Sequence, residues 1–339
     1  MPALHACLPP DGFLPLPDHG AAPSADRRVG VEVEFAGLGV AEAAEVIANT
    51  CGGRLDGPGT DEPREIHVRG STLGDIRVEL DIALKRQWAE DLAATMLGDL
   101  IPVEIITEPL PRADLPRMEN LLQALVASGA LGTKEKLAYG FGVHFNIELP
   151  DDDGAALIAT ARAYALCEDW MRRADPLDPA RRVLPFVAPF PQALVAELAR
   201  AEGWSAADLA RAMVAHAPSR NFGLDLLPAL QHLCPKALSG VPEDHLKGGR
   251  PAFHYRLPEA RMGAPDWSLA YEWNRWVLIE HVATDSDLLE ALAGEWPVHQ
   301  GPLPGPGADW AARVEALLAA SSIPARMGLD QRTPARGSD

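Results

Sequence analysis

Six short segments of the chain alternate apolar and polar residues, the period-2 pattern of a strand buried on one face and open on the other. In RVGVEVEF, Val31, Val33 and Phe35 oppose Glu32 and Glu34. In REIHVRG, Ile66 and Val68 oppose Glu65, His67 and Arg69, and in DIRVELDI, Ile76, Val78, Leu80 and Ile82 oppose Arg77, Glu79 and Asp81. PVEIITEPL puts Glu104 and Glu108 on one parity with Val103 and Ile105 behind them, and Ile106 intrudes on the polar side. GFGVHFNIE sets Val143, Phe145 and Ile147 against His144, Asn146 and Glu148, and PAFHYRLP sets Phe253, Tyr255 and Leu257 against His254 and Arg256. Between these segments the period lengthens to that of amphipathic helices in AEAAEVIANT, AEDLAATMLGDL, LPRMENLLQALVASG and GAALIATARAYALCEDWMRRA, and SLAYEWNRWVLIEHVA follows the last strand. Such helices cover an apolar sheet face. The pattern therefore predicts an α+β fold, with one curved antiparallel β-sheet, helices on one side and a polar face on the other.

Residues 1–26 read as an irregular arm, 27–322 as one catalytic unit and 323–339 as a flexible tail rich in breakers. Within the unit, 176–249 carries proline-rich turns around helices at QALVAELAR and AADLARAMVAHA, and reads as an insertion forming part of a substrate wall. The N-terminus lacks a basic n-region and its prolines break every apolar run, so it does not read as a secretory signal.

Composition narrows the function classes. The chain has 339 residues, 47% of them hydrophobic, but no apolar stretch near the roughly eighteen residues of a membrane span. A formal charge of −18 repels nucleic-acid phosphates and anionic lipid, so neither is an expected partner. Cys7, Cys51, Cys167 and Cys234 are too scattered for a zinc spacing or a disulfide scaffold and suit a reducing, cytoplasmic setting. Of the eight tryptophans, Trp267, Trp273 and Trp276 read as core.

The candidate chemistry lies in what the polar parity carries. Solvated strand faces are usually filled with Thr, Lys, Ser and Gln; these six offer Glu, Asp, His, Asn and Arg almost throughout. Glu32 and Glu34 alone read as a solvated strand, but the collective pattern does not. On neighbouring strands, two carboxylates about 4 Å apart cost about 4 kcal/mol at an effective dielectric near 20. Mg²⁺ or Mn²⁺ would offset that, since both prefer carboxylate oxygen, accept an occasional imidazole and bridge nucleotide phosphates. Zinc is set aside because no compact cysteine or histidine set is visible. Competing structural readings make His144 and His254 interior histidines and Gly140 and Gly142 the marks of a bulge or a close backbone approach. His67 and Arg69 read either as solvated or as a landing point for a nucleotide or a substrate carboxylate.

GVEVEF, VEIITEPL, GFGVHFNIE and the late FHYR, in this order, resemble the motifs of the amidoligase family within the glutamine synthetase-like carboxylate–amine ligase superfamily. The resemblance spans roughly residues 28–285. It implies a glutamine synthetase-like fold with the active site on the polar sheet face, and an ATP- and divalent-metal-dependent ligase that joins a small-molecule or peptide carboxylate to an amine through an acyl phosphate. By position, Glu34, Glu104 and Glu79 would hold one Mg²⁺ or Mn²⁺ near the γ-phosphate, and Glu32, His144 and His254 the other between the nucleotide phosphates. Arg256 would neutralise the transferring phosphoryl group, Asn146 would hydrogen-bond near the nucleotide, and Glu108 or Asp81 would be the general base. Two departures stand out. The family usually has Thr-x-Glu-Phe-Arg on the last strand where this chain has Ala252 to Arg256 with His254 at the Glu position, and Asp225 stands where the family tends to have Asn. A guanidino-kinase-like phosphotransferase and an inactive metal- or nucleotide-binding scaffold are the alternatives. The sequence leaves substrates and oligomeric state open.

Overall fold

A computed structural model describes residues 4–19, 23–25, 27–60, 63–81, 102–133, 140–182, 187–299 and 306–330. The chain is α+β. Its strands are β1 (Arg28–Phe35), β2 (Arg54–Asp56), β3 (Glu65–Ser71), β4 (Gly74–Leu80), β5 (Val103–Thr107), β6 (Leu110–Pro111), β7 (Val143–Glu148), β8 (Leu224–Asp225) and β9 (Ala252–Tyr255). They form one open sheet in the order β2-β3-β4-β5-β1-β7-β9-β8, and β6 pairs with the start of β1. Every pairing in it is antiparallel. All six alternating segments are strands. The first of them, β1, lies inside the sheet between β5 and β7.

The helices are α1 (Val40–Cys51), α2 (Leu115–Ala127), α3 (Ala155–Ala174), α4 (Pro179–Arg182), α5 (Gln192–Leu198), α6 (Ala206–His216), α7 (Leu227–Leu233), α8 (Leu269–Ala283), α9 (Ser286–Glu295), α10 (Pro306–Ala320) and α11 (Ile323–Arg326). The predicted helix at AEDLAATMLGDL lies outside the described residues, as does Ile82. α1 packs over β3 and β4, and the tryptophans of α8 lie against the apolar side of β7 and β9. There Trp273 meets Phe145 at 5.9 Å between ring centroids, and Trp276 meets Phe253 and Tyr255 at 5.1 Å. Trp273 and Trp276 are therefore core, and the apolar parity of the strands forms the floor of one hydrophobic layer. That layer turns the opposite parity, with its acids and histidines, away from the helices.

α8 is buried along its whole length, and its polar residues act as ties. Arg27, just before β1, donates to both carboxylate oxygens of Glu280 at 2.5 and 2.8 Å and also to the Glu148 carbonyl at the end of β7. Asn274 donates to the carbonyls of Pro9 and Gly12 and accepts from the Leu14 amide, and Trp273 Nε1 donates to Leu14 O, so the irregular segment 4–19 is seated on α8. At the other end, residues 323–330, which read as a fraying tail, form α11 and bury Ile323, Met327 and Leu329. Among the described residues, no helix is long and apolar enough to cross a membrane.

Candidate functional site

The register of β1 with its two neighbours builds the site. Glu34 stands opposite Glu104 on β5, and Glu104 stands opposite Glu79 on β4. On the other side, Glu32 pairs with His144 on β7, Asn146 pairs with His254 on β9, and His254 pairs with Asp225 on β8. Because same-parity residues on adjacent strands share a face, six strands deliver these side chains to one surface. Two local details fix the alignment. The Thr107 hydroxyl accepts from the Val31 amide where the β1–β5 pairing ends. Gly142 brings its backbone so close that a Cβ there would sit 2.8 Å from both His144 Nε2 and Arg181, while its N–H donates to Glu34 Oε2 at 2.8 Å. Of the two glycine readings, position 142 is a close approach.

Two groups of potential ligand atoms result, each within 4.8 Å of one another: Glu32, His144 and His254, and Glu34, Glu104 and His144. His144 belongs to both. Its Nδ1 lies 3.0 Å from Glu32 Oε2 and its Nε2 3.6 Å from Glu34 Oε1. Glu32 Oε1 accepts from Asn146 Nδ2 at 2.8 Å. His254 Nδ1 lies 3.1 Å from Asp225 Oδ2, and its Nε2, buried and without a hydrogen bond, faces Glu32 Oε2 across 3.8 Å. The positions at which the chain departs from the pattern it resembles, 225 and 254, are thus partners on adjacent strands.

The electrostatics follow from burial and crowding. Burial, together with the charges of Glu32, Glu34, Asp81 and Glu79, holds the Glu104 carboxyl well above its ordinary range. Burial and Asp81 raise Glu34 as well, against the pull of His144 and Arg181. Burial also acts upward on Glu32, but its contacts with His144 and His254 outweigh it and hold that carboxyl well below the usual value. Burial lowers His144, so its ring is neutral and has a lone pair to offer. Such a set fits divalent cations. It has crowded acids, a neutral imidazole between them and an orphaned buried ring nitrogen, each of which a bound cation would satisfy.

These residues line a cavity of about 370 Å³, within the roughly 300–1,000 Å³ of small-molecule sites. Glu32, Glu34, Asp81, Glu104, His144 and His254 line it, and so do Arg220, Lys247 and Arg256. Arg256 donates to the Arg220 carbonyl at 2.9 Å, and Arg220 donates to Asp225 at 2.8 Å. Arg220, Asn221, Asp244, His245 and Lys247 all come from the segment 176–249, and the sequence reading named none of them as site residues. The RN preceding GLD was its available signal for Arg220; Lys247 had none. The remaining expected residues lie elsewhere. Glu79 is held by Arg77 at 2.9 Å beyond Glu104 and does not line the cavity. His67 pairs with Glu65, and Arg69 with Asp75 and Asp56, on β3, three strands from β1. Glu108 accepts from the Asp75 amide at the far end of β4. Zinc was set aside for want of a compact histidine set, yet the fold assembles one: the rings of His144 and His254 lie 5.5 Å apart.

No curated protein and no solved structure matches the chain. A family model described as "Putative amidoligase enzyme" matches residues 25–278, a span that takes in every strand of the sheet and both histidines. On a match that covers most of its length, the chain belongs to the putative amidoligase enzyme family.

Proposed function

We propose that this cavity, on the polar face of a glutamine synthetase-like sheet, is the active site of an ATP- and divalent-metal-dependent ligase that forms an amide from a carboxylate and an amine. One observation carries the reading: Glu32, Glu34, Asp81, Glu104, His144 and His254 line the same cavity as Arg220, Lys247 and Arg256. The acids suit cations and the three basic side chains suit a polyphosphate, so the lining favours a metal–nucleotide pair over either alone. Glu34, Glu104 and His144 would hold one Mg²⁺ or Mn²⁺, and Glu32 and His254 a second. When bound, these cations supply charge neutralisation and a template for the γ-phosphate and the acceptor carboxylate.

The chain's own residues do the rest. Arg256, fixed through the Arg220 carbonyl, presents its guanidinium fork to the phosphoryl oxygens, and Lys247 adds a mobile point charge. A carboxylate oxygen of the substrate attacks the γ-phosphorus, the bond to the bridging oxygen breaks, and ADP leaves, giving an acyl phosphate. The amine nitrogen then attacks the acyl carbon, the C–O bond to phosphate breaks, and Asp81, the acid in the cavity furthest from the histidines by strand order, accepts the amine proton. Asn146, which already donates to Glu32, holds that carboxylate in place.

The test is to incubate the protein with ATP, Mg²⁺ or Mn²⁺, and pools of ¹⁸O-labelled carboxylates and amines. Release of ADP and free phosphate that carries ¹⁸O from the carboxylate is expected. ADP formation with a phosphorylated acceptor and no free phosphate would make the chain a phosphotransferase. Absence of ADP release with every pool would leave a binding scaffold.

A further inference from the structure

We propose that Asp225 is a positioning residue that fixes His254 as a nitrogen ligand, so that the Glu32 side of the cavity selects a cation accepting imidazole, of the Mn²⁺ or Zn²⁺ class, over Mg²⁺. The inference rests on the reading of the cavity as a cation site and deepens it.

The argument begins with what each atom can do. Asp225 is fully buried, and its Oδ2 accepts from Arg220 Nε at 2.8 Å, so it is held as an acceptor-only carboxylate. His254 Nδ1 lies 3.1 Å from that oxygen. If Nδ1 carried no proton, its lone pair would face a carboxylate lone pair at hydrogen-bond distance, so the proton sits on Nδ1 and the bond runs from imidazole to Asp225. Arg220 also approaches Nδ1, but at 3.4 Å, the longer of the two contacts. With Nδ1 engaged by Asp225, Nε2 is the ring nitrogen left to face the cavity. That atom is buried in a residue only 4% exposed, makes no hydrogen bond, and faces Glu32 Oε2 at 3.8 Å. A buried ring nitrogen and a carboxylate oxygen 3.8 Å apart with no hydrogen bond between them, beside the nearly perpendicular His144 ring, are the arrangement a cation would satisfy.

The same device appears one strand away. Glu32 Oε2 sits 3.0 Å from His144 Nδ1, which turns His144 Nε2 toward Glu34 Oε1 at 3.6 Å. Carboxylates that hold the far nitrogen of a ligating histidine fix its tautomer and ring orientation. Selectivity follows from ligand softness: Mg²⁺ demands oxygen, whereas imidazole suits the first-row transition metals and zinc. The cavity is thus graded, with oxygen ligands dominant at Glu34 and Glu104 and nitrogen available at His254.

The experiment titrates the full-length protein, without nucleotide, with MnCl₂ and separately with MgCl₂ by calorimetry, and records nitrogen couplings of bound Mn²⁺ by pulsed EPR. The wild type is expected to bind Mn²⁺ at least about tenfold more tightly than Mg²⁺. Asp225→Asn should weaken Mn²⁺ by about 10–100-fold, the usual effect of losing such a partner, while Mg²⁺ changes less than about threefold. His254→Gln should collapse the Mn²⁺ preference and remove one imidazole coupling. Asp225 also accepts from the Leu227 amide at the start of α7, so Asp225→Asn could fail to fold. In that case His254→Gln and the ¹⁵N spectrum of wild-type His254 decide, with an Nδ1–H tautomer expected. An Nε2–H tautomer, or a Mn²⁺ to Mg²⁺ ratio unaffected by His254→Gln, overturns the proposal while leaving a cation site. Absence of binding by either metal overturns both the proposal and the reading beneath it.

Discussion

Glu104→Gln tests the charge argument at its sharpest point. Glu104 stands in register between Glu34 and Glu79, and its ligand oxygen lies within 4.8 Å of the one on Glu34. At that 4.8 Å limit two unit charges repel by about 3.5 kcal/mol at an effective dielectric near 20. Proton uptake caps the penalty: placing a proton at pH 7 on a carboxyl of reference pKa about 4.3 costs about 3.7 kcal/mol, so a larger repulsion would simply neutralise the group. Water in the open mouth of the cavity lowers the figure further. Glutamine keeps the volume and loses the charge, so the variant should be more stable than the wild type by about 1–3 kcal/mol at neutral pH in chelator. The sign with pH is fixed by the direction of the shift. The folded-state value of Glu104 is raised, so its ionisation opposes folding. The gap between variant and wild type is then absent below about pH 4, opens as pH rises past the unfolded value of about 4.3, and levels off above the folded one. Urea melts across that range measure it. With Mn²⁺ at one thousand times Kd the order should reverse, because the wild type then gains about 4.1 kcal/mol and the variant lacks an anionic ligand. A variant no more stable than the wild type in chelator, or one with an undiminished metal response, would refute the reasoning.

Arg256→Lys should retain the fold but lose most turnover in the phosphate-release assay, because lysine keeps the charge without the planar fork. Gly142→Ala should cost about 1–3 kcal/mol in thermal melts and weaken cation binding, since its Cβ would press on His144 Nε2 and Arg181. Arg27→Met strands the buried Glu280 carboxylate and should cost about 3–5 kcal/mol at neutral pH. Burial raises Glu280, but Arg27 and His19 outweigh it and hold the carboxyl below its ordinary value, so its stabilisation is present above the unfolded pKa of about 4.3 and is lost as pH falls. Denaturation of Arg27→Met and wild type should therefore converge in acid.

Parity was legible in the sequence and adjacency was not. The alternation in RVGVEVEF puts Glu32 and Glu34 on one face whatever the topology, and the same holds for His144, Asn146 and His254. Nothing in that periodicity says that β1 inserts between β5 and β7, which is what turns separate acids into a cluster. His67, Arg69 and Glu108 have the right parity, but strand order carries β3 away and local partners at Glu65, Asp75 and Asp56 engage them. Asp225 could not be found by period at all, because Leu224–Asp225 is a two-residue strand defined by its pairing with β9. Arg220 and Lys247 reach the cavity from irregular chain, where placement is a tertiary property.

The tie between Arg27 and Glu280 spans 253 residues of chain. At roughly 5–20 residues per second of synthesis, about 13–50 s pass between the emergence of the two partners. Over the same interval β1 waits for β5 and β7, and β7 for β9, while Asn274, which seats the segment 4–19, has yet to be made. A nascent or truncated chain that stops short of residue 252 therefore carries Glu32, Glu34 and Glu104 without His254, and its segment 4–19 has no α8 to rest on. The acids, His144 and Asn146 appear early, and His254 and α8 appear late. The complete set of cavity side chains is thus a property of the finished chain: an interrupted product lacks His254 and Arg256 and leaves the segment 4–19 unseated, the condition in which proteases act first.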